Sequence, residues 1–266
     1  MQTDPPQHRE IGVFDSGVGG FTVLRELRAL LPTARFRYLA DTAYAPYGGR
    51  SPAEIQARSF AITEHLVERG AAMVVIACNT ATAHAIEALR ARWPNLLFVG
   101  TEPGIKPAVA ATRNGRIGLL ATPATAASAR LRALIERHAG NTQISVQGCP
   151  GVVDHIEAGD LDSTELQALV KRHCEPLQAA NVDTALLGCT HYPLIEPLWQ
   201  AALGPEVKLM RIETAVARRA VDLWTPGPEA PALQIETSGD AAALRGWIER
   251  VLGWAEPDVR HWSATP

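Results

Sequence analysis

Short apolar runs recur along the chain at residues 11–14, 36–40, 73–76, 96–99, 116–120, 144–146, 184–187, 207–212 and 234–237. Several are continuous rather than alternating. MVVI at 73–76 is the clearest case, and it has the pattern of a strand covered on both faces in a parallel sheet. Between the runs lie stretches that read as helices: 21–31, 52–69, 81–92, 106–112, a stretch ending at 139, one capped by Asp162 or Ser163 and running to 181, then 195–203, 215–224 and 241–252. Pro32, Gly70 and Pro94 stop the first three, and TPGPEAPA at 225–232 is a proline-rich surface loop. Strand and helix alternate from end to end. That order predicts an α/β protein with doubly wound parallel sheets.

The pattern repeats. IGVF followed by Asp15-Ser-Gly matches IGLL followed by Ala121-Thr-Pro, FRYL leading to Asp41 matches ISV leading to Cys149, and VVIACNTAT matches TALLGCTH. The offsets are 106 (Ile11 to Ile117), 108 (Asp41 to Cys149) and 111 (Cys78 to Cys189) residues. A long, nearly constant period indicates duplicated units. We therefore expect two similar domains, one from 8–99 with 212–266 and one from 100–211, with the helix at 241–252 returning to the first. Cys78 and Cys189 would then stand on opposite walls of one cleft.

Each of these thiols follows an apolar run, where the carboxyl end of a strand meets the next segment and where α/β folds bind ligands. A buried cysteine also serves simply as a small hydrophobe. The recurrence of the pattern favours chemistry. Two acid/base groups facing each other suit proton removal from one side of a stereogenic carbon and proton return from the other. A thiol near its ordinary pKa of ~8.5 can do either when its neighbours assist. Candidate neighbours are Asp15 and Asp41 in the first half and Glu157 and His191 in the second. Ser16, Asn79, Thr80 and Thr190 can hydrogen-bond a zwitterionic ligand. Glu157 also reads as a solvated helix residue, and His191 as a structural histidine.

The turn Asp15-Ser-Gly-Val-Gly-Gly20 between a strand and a helix suits an anion. It lacks the dinucleotide fingerprint and the P-loop lysine, and Asp15 disfavours a phosphate. Asp15 or Ser16 as a plain helix cap explains it equally well. A second loop, TAYAPYGGRSP, brings Tyr44, Tyr47, Gly48 and Arg50 beside Asp41.

Composition narrows the classes. With 47% hydrophobic and 20% charged residues the chain is ordinary for a globular protein, and a net charge of −3 gives no nucleic-acid footprint. No run approaches a membrane span. The first ten residues, MQTDPPQHRE, lack an apolar core and predict a disordered start rather than a secretory signal. We expect a cytoplasmic protein. Four widely spaced cysteines without C-x-x-C predict neither disulfides nor a metal site.

FDSGVGG, ADTAYAPYG, ACNTATA, EPGIKPA and LGCTHYPL, in this order, resemble the glutamate racemase family across residues 11–252. The resemblance implies two α/β domains related by pseudo-twofold symmetry, with the active site in the cleft between them. It also implies a cofactor-independent isomerase that supplies D-glutamate for peptidoglycan, cell-wall biogenesis and cell shape. By the same resemblance Cys78 deprotonates D-glutamate and Cys189 L-glutamate. Asp15 assists Cys78, while His191 and Glu157 assist Cys189. Asp15, Ser16, Asp41, Tyr47, Gly48, Asn79, Thr80, Thr190 and His191 match substrate-binding positions. No cofactor or metal is implied, and a homodimer and activation by a cell-wall precursor are compatible with it. The chain departs from the family at Ile212-Glu213-Thr214-Ala215, which is shortened, and at Phe21, where a smaller aliphatic residue is usual. Competing expectations are an aspartate racemase, against which His191-Tyr192-Pro193 speaks, and a regulatory protein that has kept the fold.

Overall fold

A computed structural model describes residues 9–227 and 230–264. Most of the polar start, residues 1–8, lies outside them. Two all-parallel sheets form. The first orders its strands β10-β9-β2-β1-β3-β4, from β1 (Glu10–Asp15), β2 (Arg35–Ala40), β3 (Ala71–Ile76), β4 (Leu97–Gly100), β9 (Ala232–Thr237) and β10 (Val259–His261). The second runs β6-β5-β7-β8, from β5 (Arg116–Ala121), β6 (Gln143–Gly148), β7 (Thr184–Leu187) and β8 (Lys208–Met210). The order 2-1-3-4 of the first sheet is thus repeated in the second, strand for strand, as the sequence offsets predict. β9 and β10 extend only the first sheet among the described residues. β10 falls beyond the last predicted element, because Val259-Arg260-His261 is a three-residue edge strand with one buried side chain and no apolar run.

The helices are α1 (Phe21–Leu30), α2 (Pro52–Glu68), α3 (Asn79–Arg92), α4 (Ile105–Ala111), α5 (Pro123–Ala126), α6 (Ala129–His138), α7 (Val152–Glu157), α8 (Thr164–Ala179), α9 (Glu196–Leu203), α10 (Glu213–Leu223) and α11 (Ala241–Trp247). Local chemistry sets their starts. Ser51 and Glu54 form a capping box with Pro52 at the first helical position of α2, and Ser163 rather than Asp162 caps α8. The single helix expected up to 139 is two helices. Thr122 caps α5 by accepting the Thr125 N–H, and Ser128 caps α6 by accepting the Leu131 N–H. The helix expected over 241–252 is α11 followed by a π-helical turn at Ile248–Leu252. The segment Val152–Glu157, which no apolar run or helix predicted above covers, is the short helix α7.

The inner strands β1, β3, β5 and β7 lie on near-continuous buried, mainly apolar positions, as strands covered on both faces require, whereas β6, β8 and β10 at the sheet margins are largely half-buried or exposed. Phe21 opens α1 stacked on Tyr38 of β2 (ring centroids 4.2 Å apart), with Trp247 and Trp254 against its other surfaces (6.2 and 5.7 Å). The larger residue at this position is therefore accommodated by the C-terminal segment. At the stretch 212–215, Ile212 is the N-cap of α10, and buried Glu213 accepts the Ile212 N–H. Among the described residues no helix is long and apolar enough to cross a membrane.

Candidate active site

Parallel register brings Phe14 level with Ile76 in the first sheet and Leu120 level with Leu187 in the second. Asp15 and Cys78 therefore leave the same edge of one sheet, and Cys189 leaves the corresponding edge of the other. The two edges meet. Thr190 Oγ1 donates to Asp15 Oδ2 at 2.9 Å, and Thr22 Oγ1 donates to the Thr190 carbonyl at 3.1 Å.

Cys78 is the N-cap of α3, and its sulfur accepts the Ala81 N–H at 3.4 Å. Its thiol points to Ser16 Oγ at 3.9 Å, and Ser16 Oγ donates to Asp15 Oδ1 at 3.0 Å. Thiol, hydroxyl and carboxylate form one chain. Burial first, then the Asp15 charge, pushes the Cys78 thiol well above the ordinary range, with the Ala81 N–H acting in the opposite direction. Asp15, fully buried, is also raised, by burial and by Glu157, against the lowering effects of His191, Thr190 and Ser16.

Cys189 has a different neighbour. Its sulfur lies 3.7 Å from His191 Nδ1, and His191 Nε2 lies 2.5 Å from Glu157 Oε1. The Gly19 N–H also points at Nε2, at 3.2 Å. A neutral ring cannot donate to Glu157 and accept from Gly19 through the same nitrogen, and the shorter contact to the carboxylate prevails. Burial alone would lower the imidazole pKa. The interactions with Cys189 and Glu157 outweigh it and hold His191 well above 6.5.

The glycines of the first loop act otherwise than expected. Gly17, Gly19 and Gly20 all have ordinary negative φ among the described residues. A Cβ at Gly17 would lie 1.8 Å from Glu157 Oε1, and one at Gly19 would lie 2.3 Å from His191 Nδ1. They are there for close approach across the cleft. The Val18 N–H donates to Glu157 Oε1 at 2.8 Å, so the loop cradles a protein carboxylate. Gly20, not Asp15 or Ser16, occupies the N-cap of α1.

Asp41 is fully buried and accepts two bonds from Arg58 (2.8 and 2.9 Å) and one from the Tyr47 hydroxyl (2.5 Å). It anchors the loop carrying Tyr47 and Gly48, and a Cβ at Gly48 would lie 2.9 Å from Thr122 of the second sheet's edge. Thr80 Oγ1 meets Thr122 Oγ1 at 2.9 Å and Thr125 Oγ1 at 3.1 Å. Asn79 donates to the Thr101 carbonyl at 3.3 Å, while its Oδ1 is buried without a partner among the described residues. That oxygen is an acceptor waiting for a donor. Every candidate residue named from the sequence therefore sits on this interdomain seam or, like Asp41, directly behind it. Thr122, Thr125 and Tyr38, whose hydroxyl donates to the Gly17 carbonyl at 2.8 Å, were not singled out. Thr122 was findable, since it stands 106 residues after Ser16, at the offset of the repeat.

The chain's similarities follow the same outline. The Asp/Glu/hydantoin racemase family model matches residues 22–220. A glutamate racemase of Herpetosiphon aurantiacus is 49% identical over 238 residues, 87% of this chain and 93% of that one. The crystal structure of a glutamate racemase isoform from Bacillus anthracis superposes with a TM-score of 0.88 at 31% identity, covering 97% of this chain and 98% of that one. That of the Escherichia coli enzyme, in complex with L-glutamate and the activator UDP-MurNAc-Ala, does so with a TM-score of 0.84 at 32% identity, covering 97% and 100%. Repeated half-domains, paired strand-end thiols and these relatives agree: the chain belongs to the Asp/Glu/hydantoin racemase family and, within it, to the glutamate racemases.

Proposed function

We propose that Cys78 and Cys189 are the two proton-transfer groups of a cofactor-independent interconversion of L- and D-glutamate. For L-glutamate, the Cys189 thiolate takes the Cα proton, and the Cys78 thiol returns a proton to the opposite face. The reverse direction exchanges the roles. His191 with Glu157 supplies and removes the proton at Cys189. Ser16 with Asp15 does so at Cys78. Asp15, Ser16, Asn79, Thr80, Thr190 and His191 meet the ligand's charged groups beside Tyr47 and Gly48, with Asp41 holding Tyr47 in place. The observation that carries this reading is the pairing of each strand-end thiol with its own hydrogen-bonded carboxylate relay, at 3.0 Å on one side and 2.5 Å on the other.

The remaining elements of the reading rest on the relatives and on the sequence. Domain limits are 8–99 with 212–266, and 100–211. Product D-glutamate serves peptidoglycan synthesis in the cytoplasm. A cell-wall precursor of the kind bound to the Escherichia coli relative is an activator, and the protein works as a homodimer. Proton NMR of the protein with L-glutamate in D₂O, alongside a chiral assay, tests the central claim. Loss of the Cα signal with appearance of D-glutamate supports it. An unlabelled substrate, with and without the precursor, refutes it, and exchange of L-aspartate instead would reassign the substrate.

A further inference from the structure

The pair Glu157–His191 is only as well placed as the helix that carries Glu157. α7 has six residues, and Glu157 is its last. Carbonyls in a last turn lack intrahelical partners and depend on outside donors for orientation. The carbonyl of Ile156, the residue before Glu157, accepts from both sides: the Gly159 N–H of the turn after α7 at 2.9 Å and, from across the cleft, the indole Nε1–H of Trp247, also at 2.9 Å. Trp247 ends α11, is buried, and lies outside residues 22–220 that carry the family match.

The other face of this contact is equally fixed. The Trp247 ring stacks on Phe21 (6.2 Å, planes 20° apart), and Phe21 stacks on Tyr38 (4.2 Å, 26°). The Tyr38 hydroxyl holds the Gly17 carbonyl. Gly17 adjoins Val18, whose N–H binds Glu157 Oε1. One aromatic stack therefore controls both supports of Glu157: its helix through Ile156, and its backbone donor through Gly17. Immediately beyond Trp247 the helix widens into the π turn, a local irregularity of the kind found at functional sites, and Trp247 and Ile248 both face inward.

We propose that Trp247 is a positioning residue for the reaction, acting through Glu157 on the His191–Cys189 side of the site and not on Cys78. The inference rests on the two-thiol reading above. Trp247→Phe keeps the stack and removes only the N–H. It lowers kcat by about 3- to 10-fold, the range of one hydrogen bond, with KM for glutamate within about twofold. In a Glu157→Gln background the same substitution has no further effect on kcat, whereas in an Asp15→Asn background the full loss persists. Thermal unfolding of each variant accompanies the kinetics, and Phe21→Leu, which weakens the stack without touching the N–H, gives a second, independent probe with the same dependence on Glu157. Equal loss of kcat in wild-type and Glu157→Gln backgrounds, or an unchanged kcat in Trp247→Phe, overturns the inference while leaving racemisation itself intact. A wild-type protein that does not racemise glutamate overturns both.

Discussion

The two thiols occupy equivalent places in two copies of one strand order, yet they are served by different chemistry. Cys78 caps a fourteen-residue helix and accepts an N–H from it, with a carboxylate one hydroxyl away. Cys189 is followed by a 3₁₀ turn and leans on an imidazole backed by a carboxylate. The repeat explains the difference. Position 15 is an acid in the first half and its counterpart, Ala121, is not; Asp41 corresponds to Cys149. The second half lacks acids at the strand ends, and α7 and the residue two after the thiol provide the relay instead. The repeated strand order places the two sulfurs alike, and the different residues around them give two different hydrogen-bonded chains from sulfur to carboxylate.

The comparison breaks most sharply at the sulfurs. Cys78→Ser and Cys189→Ser should each lower kcat by about 10²- to 10⁴-fold, since a hydroxyl is a far weaker base in the same place. A chiral assay measures this, and thermal unfolding should show little change in stability. Normal turnover by either variant would dissolve the pairing of the two sites.

Next come the glycines that let the halves touch. Gly19→Ala places a methyl where His191 stands, and Gly17→Ala one where Glu157 stands. Displacement of about 1 Å should cost roughly 10²-fold in kcat. Gly49→Ala, which meets nothing within 4 Å, is the control and should turn over normally.

Glu157→Gln sharpens the contrast through pH. His191 faces Cys189, Glu157 and Asp15 and is held well above 6.5, so it stays protonated to higher pH than a free imidazole. Removing one of the carboxylates lowers that pKa. The limb of the kcat/KM profile that reports His191 should move to lower pH, with kcat reduced by about tenfold. Asp15→Asn should leave that limb closer to its wild-type position, because Asp15 makes no hydrogen bond to the ring among the described residues. Coincident shifts in the two variants would show that the relays are not separate. In linkage, a raised folded pKa means His191 protonation stabilises the fold fully below about pH 6.5, and the contribution is lost as pH rises through the folded value.

The smallest effect lies beside α7. Asp160 accepts from Ser163 Oγ (2.5 Å), pairs with His155 Nδ1 (2.6 Å), and is lowered to about 2 by these bonds. A depressed carboxyl contributes stability above its unfolded pKa that is lost as pH falls through about 2. The group is half-buried at the surface, where solvent screens it, so Asp160→Asn should lower Tm at neutral pH by only about 2–4 °C. The difference from wild type should vanish near pH 2. A difference that persists there would mean that shape, not charge, sets this turn.

Much of this was legible without coordinates. The apolar runs placed nine of the ten strands, most plainly β1, β3, β5 and β7, which are inner strands buried almost throughout. The 106- to 111-residue offsets predicted two sheets of one order, and the motifs around Cys78 and Cys189 pointed to the family and its candidate site residues. What escaped notice depended on partners distant in sequence. FDSGVGG read as an anion cradle or a cap, and neither reading could foresee Glu157, 140 residues after Gly17, as the anion it meets. Ser128 could have been recognised as a helix break from its own chemistry. Trp247 could not have been linked to Glu157 from its own chemistry, since an indole in a C-terminal helix looks like core.

The sequence by itself determined the alternation of strand and helix, the duplication and the two thiols at strand ends, because local hydrophobicity, capping and spacing are written residue by residue. Only the tertiary structure decided through which atoms each carboxylate reaches its sulfur, why the loop glycines must lack side chains, and how the C-terminal segment reaches α7. Those are contacts of 2.5–3.9 Å between segments often more than a hundred residues apart. Parallel register within each half brings some of them within range, and the meeting of the two sheet ends brings the rest.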